Sequence, residues 1–175
     1  MKSIKKIALA VLALGFVAMT QVFAAKAPTV VATYVGEEAV GDQEETAVLT
    51  ITFYSDKTFV VHGEMSGEVD MGEEMGSLYM MMDADIIAGT YKGDPKKDGK
   101  ITLTATKTMT EDYSEETTVK LLGAMMAGEP LEITNEDMPL VELPKSEWEK
   151  LEITIKDGQF EYDGTVVTRV APEGK

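Results

Sequence analysis

Between Ile101 and Met109 the chain alternates with period two. Thr102, Thr104, Thr106 and Thr108 fall on one side, and Ile101, Leu103, Ala105 and Met109 on the other. A helix would scatter these residues around its circumference, whereas a strand sorts them into one wet and one dry face. Leu151–Lys156 alternates in the same way, as do Leu49, Ile51 and Phe53 against Thr50, Thr52 and Tyr54. A chain that repeats this pattern must build a sheet and bury one face of it.

Turn residues separate the alternating runs. Ser55-Asp56-Lys57 links Val48–Tyr54 to Thr58–Met65, and Gly93–Gly99 leads into the threonine-lined strand. Asp157-Gly158 links Leu151–Lys156 to Gln159–Val170 and is a strong hairpin signal. The predicted strands are Val30–Gly36, Val48–Tyr54, Thr58–Met65, Asp85–Lys92, Lys100–Thr110, a weak one at Thr117–Leu122, Leu151–Lys156 and Gln159–Val170. Neighbours in sequence are joined by short turns, so the topology reads as an antiparallel meander. The fold class is all-β. About eight such strands close into an up-and-down β-barrel, which removes sheet edges and leaves an interior for side chains or one small ligand. A β-sandwich is the alternative with the same strand count.

Two segments break the alternation. Ser66–Asp83 is rich in Gly, Glu and Met, and Leu121–Gly128 is apolar without period two, suiting a short helix or a lid-like loop. Ser146-Glu147-Trp148-Glu149 has capping-box spacing and predicts at most one helical turn.

The chain begins with Lys2, Lys5 and Lys6, continues with an uncharged apolar run from Ile7 to Met19, and reaches Val22-Phe23-Ala24. This layout predicts a secretory signal peptide over residues 1–24, with an apolar run too short to span a bilayer. Residues 25–175 then form a single domain of an exported protein, periplasmic or secreted, of bacterial type. The full chain has 31 acidic residues, 16 basic ones and a net charge of −15. Such a charge repels nucleic acid and anionic membrane surfaces. No cysteine is present, so packing alone must hold the domain. Nothing after the signal peptide approaches the length of a membrane-spanning helix.

Catalytic chemistry finds little support. The single histidine, His62, shares strand parity with Thr58, Val60 and Glu64 and points to the polar side. No nucleophile elbow, phosphate loop or dinucleotide fingerprint occurs, and no spacing selects an acid–base pair of carboxylates. Asp94–Gly99 lacks the spacing of a calcium loop and contains Lys96 and Lys97, so it reads as a hairpin turn. The expectation is a protein that is not an enzyme and carries no cofactor or bound metal.

Methionines are the unusual local feature. Met65, Met71, Met75, Met80, Met81 and Met82 cluster in one irregular segment, and Met125 and Met126 lie in the other. Thioether sulfur suits Cu(I), while flexible methionines also fill cores or line adaptable apolar sites. Placed at the open end of a barrel, Met80, Met81, Met82, Leu121, Leu122, Met125 and Met126 would line a ligand entrance.

A family resemblance rests on the first and last strands. The first carries Ala32-Thr33-Tyr34, and the last ends Thr165-Val166-Val167-Thr168-Arg169, with the only arginine of the chain. Lipocalins and their calycin relatives begin with a Gly-x-Trp strand and pack a late Arg over that Trp at the closed end. The chain resembles a divergent bacterial lipocalin-like protein on this count, with Tyr34 standing where Trp is expected and Ala32 where Gly is expected. Ala88–Gly93 followed by Asp98–Leu103 is also similar to strand–turn–strand segments of that group. The resemblance implies a barrel closed structurally by Tyr34 and Arg169. It also implies a small hydrophobic or amphipathic ligand in the interior. A filled barrel that contacts another protein or the cell envelope, and a methionine-based copper site, are the other two readings.

Overall fold

The computed structural model describes residues 27–40, 45–70, 77–110 and 112–171. The predicted signal peptide, Met71 and Met75 lie outside them. The described chain forms β1 (Val30–Val40), β2 (Glu45–Tyr54), β3 (Thr58–Asp70), β4 (Ser77–Lys92) and β5 (Gly99–Met109), then helix α1 (Glu115–Ala127). β6 (Leu131–Thr134), β7 (Leu140–Glu142), β8 (Lys150–Ile155), β9 (Gln159–Tyr162) and β10 (Thr165–Val170) follow. The fold is all-β, a strongly curled and barrel-like sheet.

The sheet runs β9–β10–β1–β2–β3–β4–β5, every pair antiparallel. The far edge of β5 pairs with β8 over Gly99–Thr104 and with β7 over Lys107–Met109. β8 and β9 are joined by the two-residue turn Asp157-Gly158, whose residues have φ of 54° and 73°, as a primed hairpin turn requires. Beyond the bridge Lys156↔Gln159, no ladder pairs β8 with β9 among the described residues. The ring of strands is therefore pinned at one end and splayed along one seam.

The pinned end is filled. Tyr34, Phe53, Phe59, Val61, Tyr91, Ile101, Leu103, Ile153, Ile155, Phe160 and Val167 are all buried in one cluster. These are the inward positions of the alternation, and Ile101 and Leu103 take the dry face as expected while Thr102 and Thr104 stay half-exposed. Phe53 lies at the centre, edge-on to Tyr34 at 5.9 Å and to Tyr91 at 5.0 Å between ring centroids.

A second, smaller core sits beside the barrel. Leu78, Leu131, Ile133 and Met138 are buried there, with Met80, Met82, Met109, Leu121, Ala124 and Met125 packed against them. α1 lies over this cluster, and β6 pairs in parallel with β4 from Met80↔Leu131 to Asp83↔Thr134.

Several expectations are corrected. The weak strand at Thr117–Leu122 is part of α1. Ser114 caps that helix by accepting from the Thr117 amide at 3.0 Å, and Gly128 ends it in the left-handed conformation. Within Ser66–Asp83 the described residues are regular strand, since β3 extends to Asp70 and β4 starts at Ser77, paired residue by residue. The predicted strand Gln159–Val170 is split by a second Asp-Gly turn, with Asp163 at φ 48° and Gly164 at φ 84°. The turn at Ser146–Glu149 is a 3₁₀ turn, Lys145–Glu147, with no side-chain cap.

Candidate functional site

Sheet curvature and the splayed seam leave a cavity of about 560 Å³ that adjoins the filled core, with Val61 shared between the two and Leu49, Ile87 and Tyr162 packed against the core. Its walls come from β2 (Ala47, Val48, Leu49), β3 (Val61, Gly63, Glu64, Met65) and β4 (Met82, Ile86, Ile87). The seam contributes Glu149 and Leu151 on one side and Tyr162, Asp163 and Thr165 on the other. The volume falls within the range of about 300–1,000 Å³ common to small-molecule sites.

A β-bulge shapes the wall. β3 and β4 pair Val61↔Ile87 and then His62↔Asp85, which leaves Ile86 as the extra residue. Both isoleucines therefore reach the cavity, at a position where a regular strand would offer one. Gly63 makes room for Ile86, since a Cβ there would lie 2.5 Å from Ile86 Cδ1. The lining is apolar along its length and acidic at its rim.

Of the seven residues expected at the entrance, Met82 alone lines this cavity. Met80, Leu121 and Met125 pack into the second core. Met125 also borders a small cleft of about 110 Å³ between α1 and β4. Met81, Leu122 and Met126 face outward, Met126 at 90% exposure. The structure thus does not gather the seven at one mouth. Of the residues that do line it, Leu49, Val61 and Leu151 carried the inward parity of their strands and Ile86 enters through the bulge, but nothing in the sequence showed that the sheet would splay beside them.

Tyr34 and Arg169 sit opposite each other in the β1–β10 ladder at the pinned end. The expected stacking of the guanidinium on the Tyr34 ring is absent. Cation–π contacts among the described residues are Lys57 with Tyr91 and Lys145 with Trp148. Tyr34 instead packs on Phe160, with ring centroids 4.8 Å apart. Its hydroxyl donates to the Pro95 carbonyl at 2.8 Å, and Arg169 Nη1 donates to the adjacent Lys96 carbonyl. The two side chains hold the β4–β5 loop across the barrel end. Asp98 of the same loop accepts from the Asp157 and Gly158 amides at 2.7 and 3.1 Å, fastening the β8–β9 turn. Tyr34→Phe leaves the buried Pro95 carbonyl without this donor and is expected to cost about 1–3 kcal/mol in denaturant unfolding.

Burial pushes the phenols of Tyr34, Tyr91 and Tyr162 above their ordinary value of 10.0. At Tyr34 the Arg169 charge opposes the shift, and at Tyr162 the neighbouring Asp163 and Glu149 reinforce it. The folded state thus holds these protons more tightly than the unfolded chain. The stabilisation is complete below pH 10.0 and is lost as pH rises through the folded-state values. Ultraviolet titration is expected to show part of the tyrosine signal ionising only together with alkaline unfolding. Smooth titration of all six tyrosines in a folded protein would contradict it.

His62 lies on the outer face, as its strand parity predicts. Nδ1 is 3.0 Å from Asp85, and Nε2 is 3.1 Å from Asp83 and 3.8 Å from Glu64. Of this cluster only Glu64 also lines the cavity. Among the described residues no group of three or more His, Asp or Glu has a metal-binding arrangement, and no helix is long and apolar enough to cross a membrane. A hollow of about 790 Å³ beside Val31, Lys96 and Arg169 adjoins both ends of the described chain and is walled mainly by β1 and β10.

Comparisons with family models, with curated proteins and with solved structures find no match for this chain.

Proposed function

We propose that this protein is an exported, non-enzymatic carrier that holds one small hydrophobic or amphipathic molecule in a lipocalin-like barrel. The cavity at the splayed seam carries this reading. It combines an apolar wall from three neighbouring strands with a polar rim on one side, the usual composition of a small-molecule site. The filled aromatic core at the pinned end supports it, because a rigid base keeps the cavity walls apart without a ligand. The fixed loop at Tyr34 and Arg169 serves the same end.

The test is native mass spectrometry of the protein purified gently from an exporting host, before and after solvent extraction. The expected result is a stoichiometric extra mass that solvent releases, or uptake of one molecule of a neutral solvatochromic dye. A clean apo mass with no dye uptake would overturn the proposal and favour a filled interaction module.

A further inference from the structure

The charge at the cavity mouth narrows the ligand. Three carboxylate residues, Glu64, Glu149 and Asp163, are among the lining residues, and no lysine or arginine is. Glu64 is turned toward His62 Nε2 at 3.8 Å. Glu149 precedes β8 and Asp163 follows β9, so the two exposed carboxylates come from opposite sides of the seam and line the cavity together with the half-buried Tyr162. The same cavity is lined by the apolar side chains of Leu49, Val61, Ile86 and Leu151, of which Val61 is fully buried.

We infer that the cavity selects an amphipathic cation, an amine or quaternary ammonium with an apolar body, its head at Glu149, Asp163 and the Tyr162 ring and its body against Leu49, Val61 and Ile86. This inference rests on the carrier reading and adds the charge of the headgroup. A cation there gains from two carboxylates and from the face of a tyrosine ring. An anionic head would meet the same carboxylates with no basic partner. Burial is the main reason the Tyr162 phenol is held above its ordinary value, and the charges of Asp163 and Glu149 act in the same direction. The net charge of −15 adds long-range attraction for cations.

Decyltrimethylammonium, decanoate and decanol share one chain and differ in head charge. Their binding can be followed through Trp148, the only tryptophan, which precedes the rim residue Glu149. The ammonium is expected to bind at least about tenfold tighter than decanoate, with decanol between them. The preference should shrink as salt is raised. It should vanish in the double variant Glu149→Gln, Asp163→Asn, with decanol binding kept. Both residues are exposed, so the variant is expected to fold, and the salt titration reads the same effect in the unmodified protein. Decanol binding with decanoate equal to or tighter than the ammonium would overturn the inference and leave the carrier reading standing. No binding of any of the three would overturn both.

Discussion

Replacing Phe53 by alanine is expected to cost about 3–5 kcal/mol and to lower the melting temperature by roughly 10 °C. Phe53 is fully buried and touches three aromatic rings, Tyr34, Phe59 and Tyr91. Truncation removes the contact that joins β1, β2, β3 and β4 at the pinned end, and the surrounding backbone is too constrained by its ladders to collapse into the void. A domain of this size has only about 5–15 kcal/mol in total, so the loss is a large share. The same truncation at Leu151, 44% exposed at the seam, should cost about 1 kcal/mol or less. Chemical unfolding of the two variants measures the contrast. Equal losses would mean that the pinned end is not the stabilising half of the barrel.

The second large effect comes from the smallest substitution. Gly89 sits in β4 where the pairing with β5 is shifted between Ala88 and Gly89. A Cβ there would lie 2.0 Å from the Thr104 carbonyl oxygen and 2.9 Å from its carbon. These are backbone atoms of the neighbouring strand, so no rotamer change relieves the clash. Gly89→Ala is expected to destabilise by about 3 kcal/mol or more, beyond the usual cost of overpacking. Faster amide exchange should appear along Tyr91–Lys92 and Thr102–Thr104. Gly123 is the control, since nothing lies within 4 Å of its added Cβ in α1. Gly123→Ala should stabilise by roughly 0.5–1 kcal/mol, through helix propensity alone. A harmless Gly89→Ala would refute the close β4–β5 register.

The strands that the sequence revealed are those whose inner and outer residues differ sharply in polarity. β5, with threonines outside and Ile101 and Leu103 inside, is the clearest. β4 hides the same period. Leu78, Met80, Met82 and Ala84 face inward, but Tyr79 and Met81 are apolar too, so no contrast marks the alternation. α1 was obscured by Thr117, Thr118 and Val119, whose β-branched side chains suit a strand. Its Ser114 cap, first-turn Glu115 and Glu116 and terminal Gly128 are the local signals that decided the outcome. Asp163-Gly164 repeats the turn chemistry of Asp157-Gly158 within what read as one long strand.

The cavity was legible only in part. Inward parity marked Leu49, Val61 and Leu151 as apolar wall, but their facing a void depends on the missing β8–β9 ladder and on the bulge at Ile86. Both arise from long-range register, which local pattern does not encode. The methionines misled because two sites compete for them. Met82 joins the cavity wall, while Met80, Met125 and Met138 fill the second core under α1.

The most direct measurement is methyl and amide NMR of the protein titrated with decyltrimethylammonium. Saturable shifts are expected at Leu49, Val61, Met82, Ile86, Leu151 and Tyr162, with the second core at Leu131 and Ile133 unmoved. Saturable shifts confined to the second core, or to the outer face around His62, would contradict this.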